Sequence, residues 1–178
     1  MVLNLAEKLH KKYPKQPFDK SFVRGYSDEE IKKIERLYDI EVPPTSQLYD
    51  FLKCMGRCSG GLFGGDQMII YWASRNVRDK VCYQNFNRED IIDLGFDGAN
   101  SNKVFFISCI YLTQYYFLAT KSKDINIVYH WNENTDEIVK TEFTLYQYLE
   151  WILSDDTIAA FSCSEQELIE TSGELIDF

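Results

Sequence analysis

The chain reads as an α+β domain, with a single antiparallel sheet of about five to six strands and helices packed on one face. Three observations lead there. Short runs of β-branched and aromatic residues recur at 67–73, 104–110, 113–120 and 125–131, with a weaker one at 138–143. The last four are joined by connections of only a few residues, which suits an antiparallel meander. Segments with apolar residues at helical spacing precede and follow this group instead of alternating with its strands.

Taken in order, residues 3–13 place Leu3, Leu5, Leu9 and Tyr13 on one side of a short helix stopped by Pro14. His10 falls on its polar side, solvated beside Lys11 and Lys12. Residues 14–25 form a connector. Ser27-Asp28-Glu29-Glu30 has the S-x-x-E form of a capping box, in which serine accepts the Glu30 amide and glutamate reaches back to the Ser27 amide. Ile31, Ile34, Leu37 and Tyr38 then recur at helical spacing. The bridge Ile40-Glu41-Val42 leads to Pro43-Pro44, where Pro44 suits the first turn of a second helix. Leu48, Phe51, Leu52 and Met55 form its apolar stripe, and Gly56 is placed to close it in the left-handed conformation.

The loop 57–66 holds Gly60, Gly61, Gly64 and Gly65 and turns the chain from helix to strand. Val77, Val81, Cys82 and Phe86 suggest a modest helix over 74–86, followed by an irregular stretch to 102. Thr144-Leu145-Tyr146-Gln147 is a second capping box, and Leu145, Tyr148, Leu149 and Ile152 face inward from the helix it opens. A further S-x-x-E at Ser164–Glu167 predicts a short helix over 165–171. With no internal repeat or low-complexity linker, residues 1–178 are read as one domain.

The 178 residues are 45% hydrophobic and 15% aromatic, enough for one sizeable core. The uninterrupted apolar runs are far shorter than the roughly 20 residues of a membrane span. At the start of the chain the lysines follow the apolar residues, the reverse of a secretory leader, so the expected location is cytoplasmic with no membrane partner. Five cysteines, an odd number scattered through the elements, read as reduced and mostly buried thiols. The net charge of −9 is uneven: residues 1–25 carry six Lys/Arg against two Asp/Glu, whereas 154–178 carry seven acids and no base. An acidic body argues against nucleic-acid binding and suits a basic partner.

Reactive chemistry finds little footing. No lysine follows the glycines in phosphate-loop register, and the order helix–glycines–strand reverses that of a dinucleotide fingerprint. Cys54 and Cys58 lie four apart without a second pair of metal ligands. A calcium loop over 93–104 fails because Gly95 and Val104 fall at ligand positions. His130 sits inside an apolar strand and reads as a sheet residue, and no G-x-S-x-G elbow is present. The carboxylate pairs Asp28/Glu29 and Asp155/Asp156 lie at helix ends, where the helix dipole explains them. The expectation is therefore no enzyme, no metal and no cofactor. The surplus is aromatic: Trp72, Tyr111, Tyr115, Tyr116, Phe117, Tyr129 and Trp131 decorate the sheet, either as a protein-binding face or as ordinary core.

The succession of these elements resembles the SUKH superfamily (the Smi/Knr-like group). The residues that carry it are the opening Ser27–Ile31, then Tyr38-x-Ile40-x-Val42-Pro43, Leu48-Tyr49-x-Phe51-Leu52 and the glycine-rich 56–66. Ile69-Ile70-Tyr71, Thr113–Leu118, Val128–Trp131 and the closing helix 145–153 follow in register. The likeness covers about residues 26–153, leaving the N-terminal helix and the acidic tail 154–178 as extensions. It marks Pro43, Gly56, Gly60, Gly61, Gly64 and Asp66 as a structural motif. It implies an immunity protein of contact-dependent growth inhibition or another polymorphic toxin system. Such a protein is monomeric when free, and binds and occludes a cognate toxin domain, typically a nuclease with a basic cleft. Candidate contacts are Asp66, Tyr71, Tyr115, Asp155, Asp156, Glu165 and Glu167. The alternative is a regulatory protein–protein interaction scaffold without a toxin partner, as in fungal members.

Overall fold

A computed structural model describes residues 5–64, 67–72, 76–96, 103–155 and 174–176. Within them lie helices α1 (Leu5–Lys12), α2 (Asp28–Tyr38), α3 (Gln47–Met55) and α4 (Val77–Asp93), strands β1 (Val104–Ile110), β2 (Gln114–Ala119), β3 (Ile127–Asn132) and β4 (Glu137–Thr144), and helix α5 (Leu145–Ser154). The sheet is an antiparallel meander in the order β1-β2-β3-β4. It has four strands, not five or six. The missing one is 67–73: Ile69–Tyr71 forms a 3-10 turn, and only Met68 makes a bridge to Ser108. The helix expected over 165–171 lies outside the described residues.

Both capping boxes form. Ser27 accepts from the Glu30 amide while Glu30 accepts from the Ser27 amide, and Thr144 and Gln147 do the same at the start of α5. The second helix differs from expectation at both ends. Its cap is Ser46, which accepts from the Tyr49 amide, so the prolines precede the helix instead of opening it. Gly56 is right-handed (φ −60°), and its small size answers a different need. A Cβ there would lie 2.8 Å from the Tyr26 ring and 2.8 Å from the Leu52 carbonyl oxygen. Gly60 does require its freedom, with φ +70° and the Asp19 carbonyl oxygen 2.6 Å from where a Cβ would stand.

One face of the sheet packs on α1, α2, α3 and α5 through Phe105, Ile107, Leu118 and Val128. α1 belongs to this core through Leu5, Ala6 and Leu9. His10 is half-buried and stacks on Phe18 at 4.6 Å, so it is not the solvated side chain its neighbours suggested. The chain end returns to the same core. Leu175 and Ile176 are buried, the Leu175 amide donates to the Tyr26 hydroxyl (2.9 Å), and Arg57 bridges Glu30 and Glu174.

β1 is buried along its whole length although it is an edge strand. Its outward backbone groups therefore need partners, and α4 supplies most of them. Gln84 donates to the Phe106 carbonyl (2.7 Å) and accepts from the Phe106 amide (2.8 Å). Arg88 donates to the carbonyls of Val104 (2.8 Å) and Tyr38 (2.9 Å). The Cys109 amide donates to the Gln67 carbonyl (2.9 Å). Lys80, 1% exposed, donates to the carbonyls of Glu174 (2.8 Å) and Ile70 (3.4 Å). The buried side of α4 is thus Val77, Lys80, Gln84, Asn87 and Ile91, whereas Cys82 and Phe86 of the expected apolar stripe are exposed.

Replacing Gln84 with Leu leaves a buried N–H and a buried C=O without partners, each costing about 1–3 kcal/mol. Urea unfolding is expected to show a loss of about 2–4 kcal/mol at unchanged slope, against less than about 0.5 kcal/mol for Cys82→Ala on the exposed side of the helix. Burial pushes the Lys80 ammonium down to about 8 from 10.5, with Glu174 opposing. From about pH 8 toward 10.5 the unfolded chain retains a proton that the folded chain has released, so stability gains with rising pH across that window. Subtracting the unfolding profile of Lys80→Met from that of the wild type should reveal this gain; superimposable profiles would assign Lys80 no titration there.

Candidate protein-interaction surface

The far face of the sheet carries an aromatic lattice. Tyr115 stacks on Trp131 at 4.6 Å, Phe117 on Tyr129 at 5.4 Å, and Phe106 lies 5.0 Å from Phe117. Ile69 and Ile91 pack into this cluster, and Trp72, Tyr83, Ile92 and Phe96 cover it. The two readings left open for the sheet aromatics divide here. Tyr115, Phe117 and Trp131 are buried core, and Tyr129 borders a shallow concavity of about 220 Å³ with Leu94, Phe96 and Ile138.

Tyr111 is the exposed exception, at 68%, together with Leu112 at 83%. They begin the connection between β1 and β2, and both have positive φ, 54° and 65°. Two successive residues of this kind are the backbone that Asn-Gly adopts most readily in hairpins. A left-handed conformation costs a side chain such as Leu or Tyr roughly 1–2 kcal/mol. The short connection in the sequence indicates a hairpin here; the further signal it carries is the pair of large apolar residues where Asn or Gly is usual.

The adjacent connection between β3 and β4, residues 133–136, is fixed beside this tip. The Glu133 amide donates to the Thr113 carbonyl (3.0 Å), and Asn134 donates to the Thr113 hydroxyl (3.1 Å). Behind them runs a polar chain, with His130 Nε2 2.7 Å from Gln114 Oε1 and the Gln114 amide donating to Asn132 (3.1 Å). Glu133, Asp136 and Glu137 are exposed, and none takes part in an ion pair among the described residues.

Of the expected contact residues, Tyr71, Tyr115 and Asp155 lie among the described residues, and these three do not come together. Tyr71 is fully buried, its hydroxyl donating to the Met55 carbonyl (2.6 Å), so it offers no surface to a partner. Desolvation holds that phenol well above its usual range. Tyr115 belongs to the cluster on the opposite face of the sheet and is 7% exposed. Asp155 is half-buried at the C-cap of α5, while Asp66, Asp156, Glu165 and Glu167 lie outside the described residues. Of the structural motif, Pro43 accepts from Ser46 through its carbonyl, Gly56 and Gly60 are sterically required, Gly61 has φ +97°, and Gly64 accepts from the Met68 amide (3.3 Å). Among the described residues no group of His, Cys, Asp and Glu is arranged to hold a metal, and no disulfide joins Cys54, Cys58, Cys82 and Cys109 to one another.

Burial lowers the His130 pKa below 6.5, and Glu137 opposes the shift. His130 therefore contributes stability that is present above pH 6.5 and lost as pH falls through its depressed value. The wild-type melting temperature should drop more than that of His130→Gln on acidification below 6.5; parallel curves would refute this. No family model, curated protein or solved structure matches the chain.

Proposed function

We propose that this chain is a SUKH-like immunity protein, a non-enzymatic binder that neutralises a cognate toxin domain by occluding it. The carrying observation is the ordered series of elements between the two capping boxes at Ser27 and Thr144. It comprises a capped helix, a proline bridge, a second helix, a glycine loop against the sheet, the meander and a closing capped helix. The sheet has four strands where about five to six were expected, so the likeness lies in the order of elements. The net charge of −9 supports a basic partner such as a nuclease domain, because opposite charge accelerates encounter and suppresses wrong partners.

The test is co-expression with the toxin domain encoded in the neighbouring reading frame. Growth should be restored, the two chains should purify as a complex, and association should slow steeply as salt is raised. The toxin should regain activity, at unchanged mass, once the complex is denatured and the toxin refolded alone, as occlusion without covalent change requires. Absence of both binding and protection would reject the reading.

A further inference from the structure

We propose that the tip of the β1–β2 hairpin, Tyr111 and Leu112, is the anchor by which this protein docks into an apolar pocket on a basic partner protein. The carboxylates of Glu133, Asp136 and Glu137 steer that partner. The inference deepens the immunity reading and rests on it, since the partner is the toxin domain proposed above.

Four observations combine at this place. Tyr111 and Leu112 are the two most exposed large apolar side chains among the described residues, and they are adjacent in the chain. They stand at positive φ, where Asn and Gly would be favoured, so the backbone conformation does not select for their size. The backbone that presents them is nonetheless held: Thr113 is tied to Glu133 and Asn134, and the Tyr115 hydroxyl lies 3.5 Å from the Leu112 carbonyl oxygen and 3.3 Å from the Glu133 carboxylate. The connections 111–113 and 133–136 contain no lysine or arginine.

A rigid apolar tip limits the entropy lost on docking, because the loop is ordered before the partner arrives. Tyrosine is among the residues that dominate interface energetics when desolvated at the centre of a contact. Carboxylates beside it repel acidic surfaces and attract the basic cleft of a nuclease, acting mainly on the association rate. Tyr115 enters here as a positioning residue, buried beneath the tip and joining its two connections.

The experiment compares the full chain with a Tyr111→Asn, Leu112→Gly double variant against the toxin domain of the neighbouring reading frame. Melting temperature, affinity and oligomeric state are measured for both proteins. The variant is expected to melt at least about 2 °C higher, since its residues suit the backbone. It should bind the toxin domain at least about 30-fold more weakly. A Glu133→Gln, Asp136→Asn, Glu137→Gln triple variant should associate about tenfold more slowly at low salt, with dissociation little changed.

Undiminished affinity in the double variant would overturn the anchor and leave the immunity reading standing. No binding by the wild-type chain would overturn that reading and the anchor with it. A lower melting temperature would show that the pair serves the fold, and would overturn the proposal. So would a wild-type dimer that the double variant disperses, because the tip would then belong to a second copy of this chain.

Discussion

The structure depends on how one buried edge strand satisfies its backbone. β1 is covered on both faces and lies at the margin of the sheet, so the amides and carbonyls on its free side have neither a neighbouring strand nor bulk water. Leaving such groups unmade costs more than an ordinary hydrogen bond contributes. Gln84 answers both groups of Phe106 with its own amide, Arg88 takes Val104, and the chain at Gln67 takes Cys109. The register shift between Phe106 and Ser108 marks where one set of partners gives way to the other. It leaves Ile107 and Ser108 both toward the helices, Ser108 being hydrogen-bonded to Tyr148 of α5.

This arrangement decides what remains for a partner. With α4 along the edge and its C-terminal end over the far face, Tyr115 and Phe117 of β2 become core instead of contact surface. The opposite edge, β4, is largely exposed and carries Glu137, Lys140 and Glu142, the charges with which proteins discourage edge-to-edge pairing. The two most exposed large apolar side chains among the described residues stand at the hairpin end, beside carboxylates on a hydrogen-bonded frame.

How much was legible follows from the range of each interaction. Ser27 with Glu30 and Thr144 with Gln147 are three residues apart, and both boxes form as read. The four meander strands are local pairings, and β1 matches its expected bounds. Gly56 was recognised as necessary, but the reason is the ring of Tyr26, which no local rule can bring beside it. The strand expected at 67–73 has the right composition, yet the edge it would have joined is shared with helix side chains. Tyr71 and Tyr115, chosen as contacts for their aromatic rings, are buried, because side-chain type alone does not say which face of an element meets solvent.

The sequence by itself determined the α+β class, the four-strand meander and the starts of the two helices opened by capping boxes, since caps, periodicity and short connections act over a few residues. Tertiary structure alone decided that α4 would bury Lys80, Gln84 and Asn87 beside Val77 and leave Cys82 and Phe86 of the expected apolar stripe exposed. It also buried Tyr71 and Tyr115 and left Tyr111 and Leu112 in water. The physical reason is that burial is a property of the space between elements: a polar side chain goes inside when the backbone there has unmet hydrogen bonds, and which apolar side chains are covered depends on where distant elements pack.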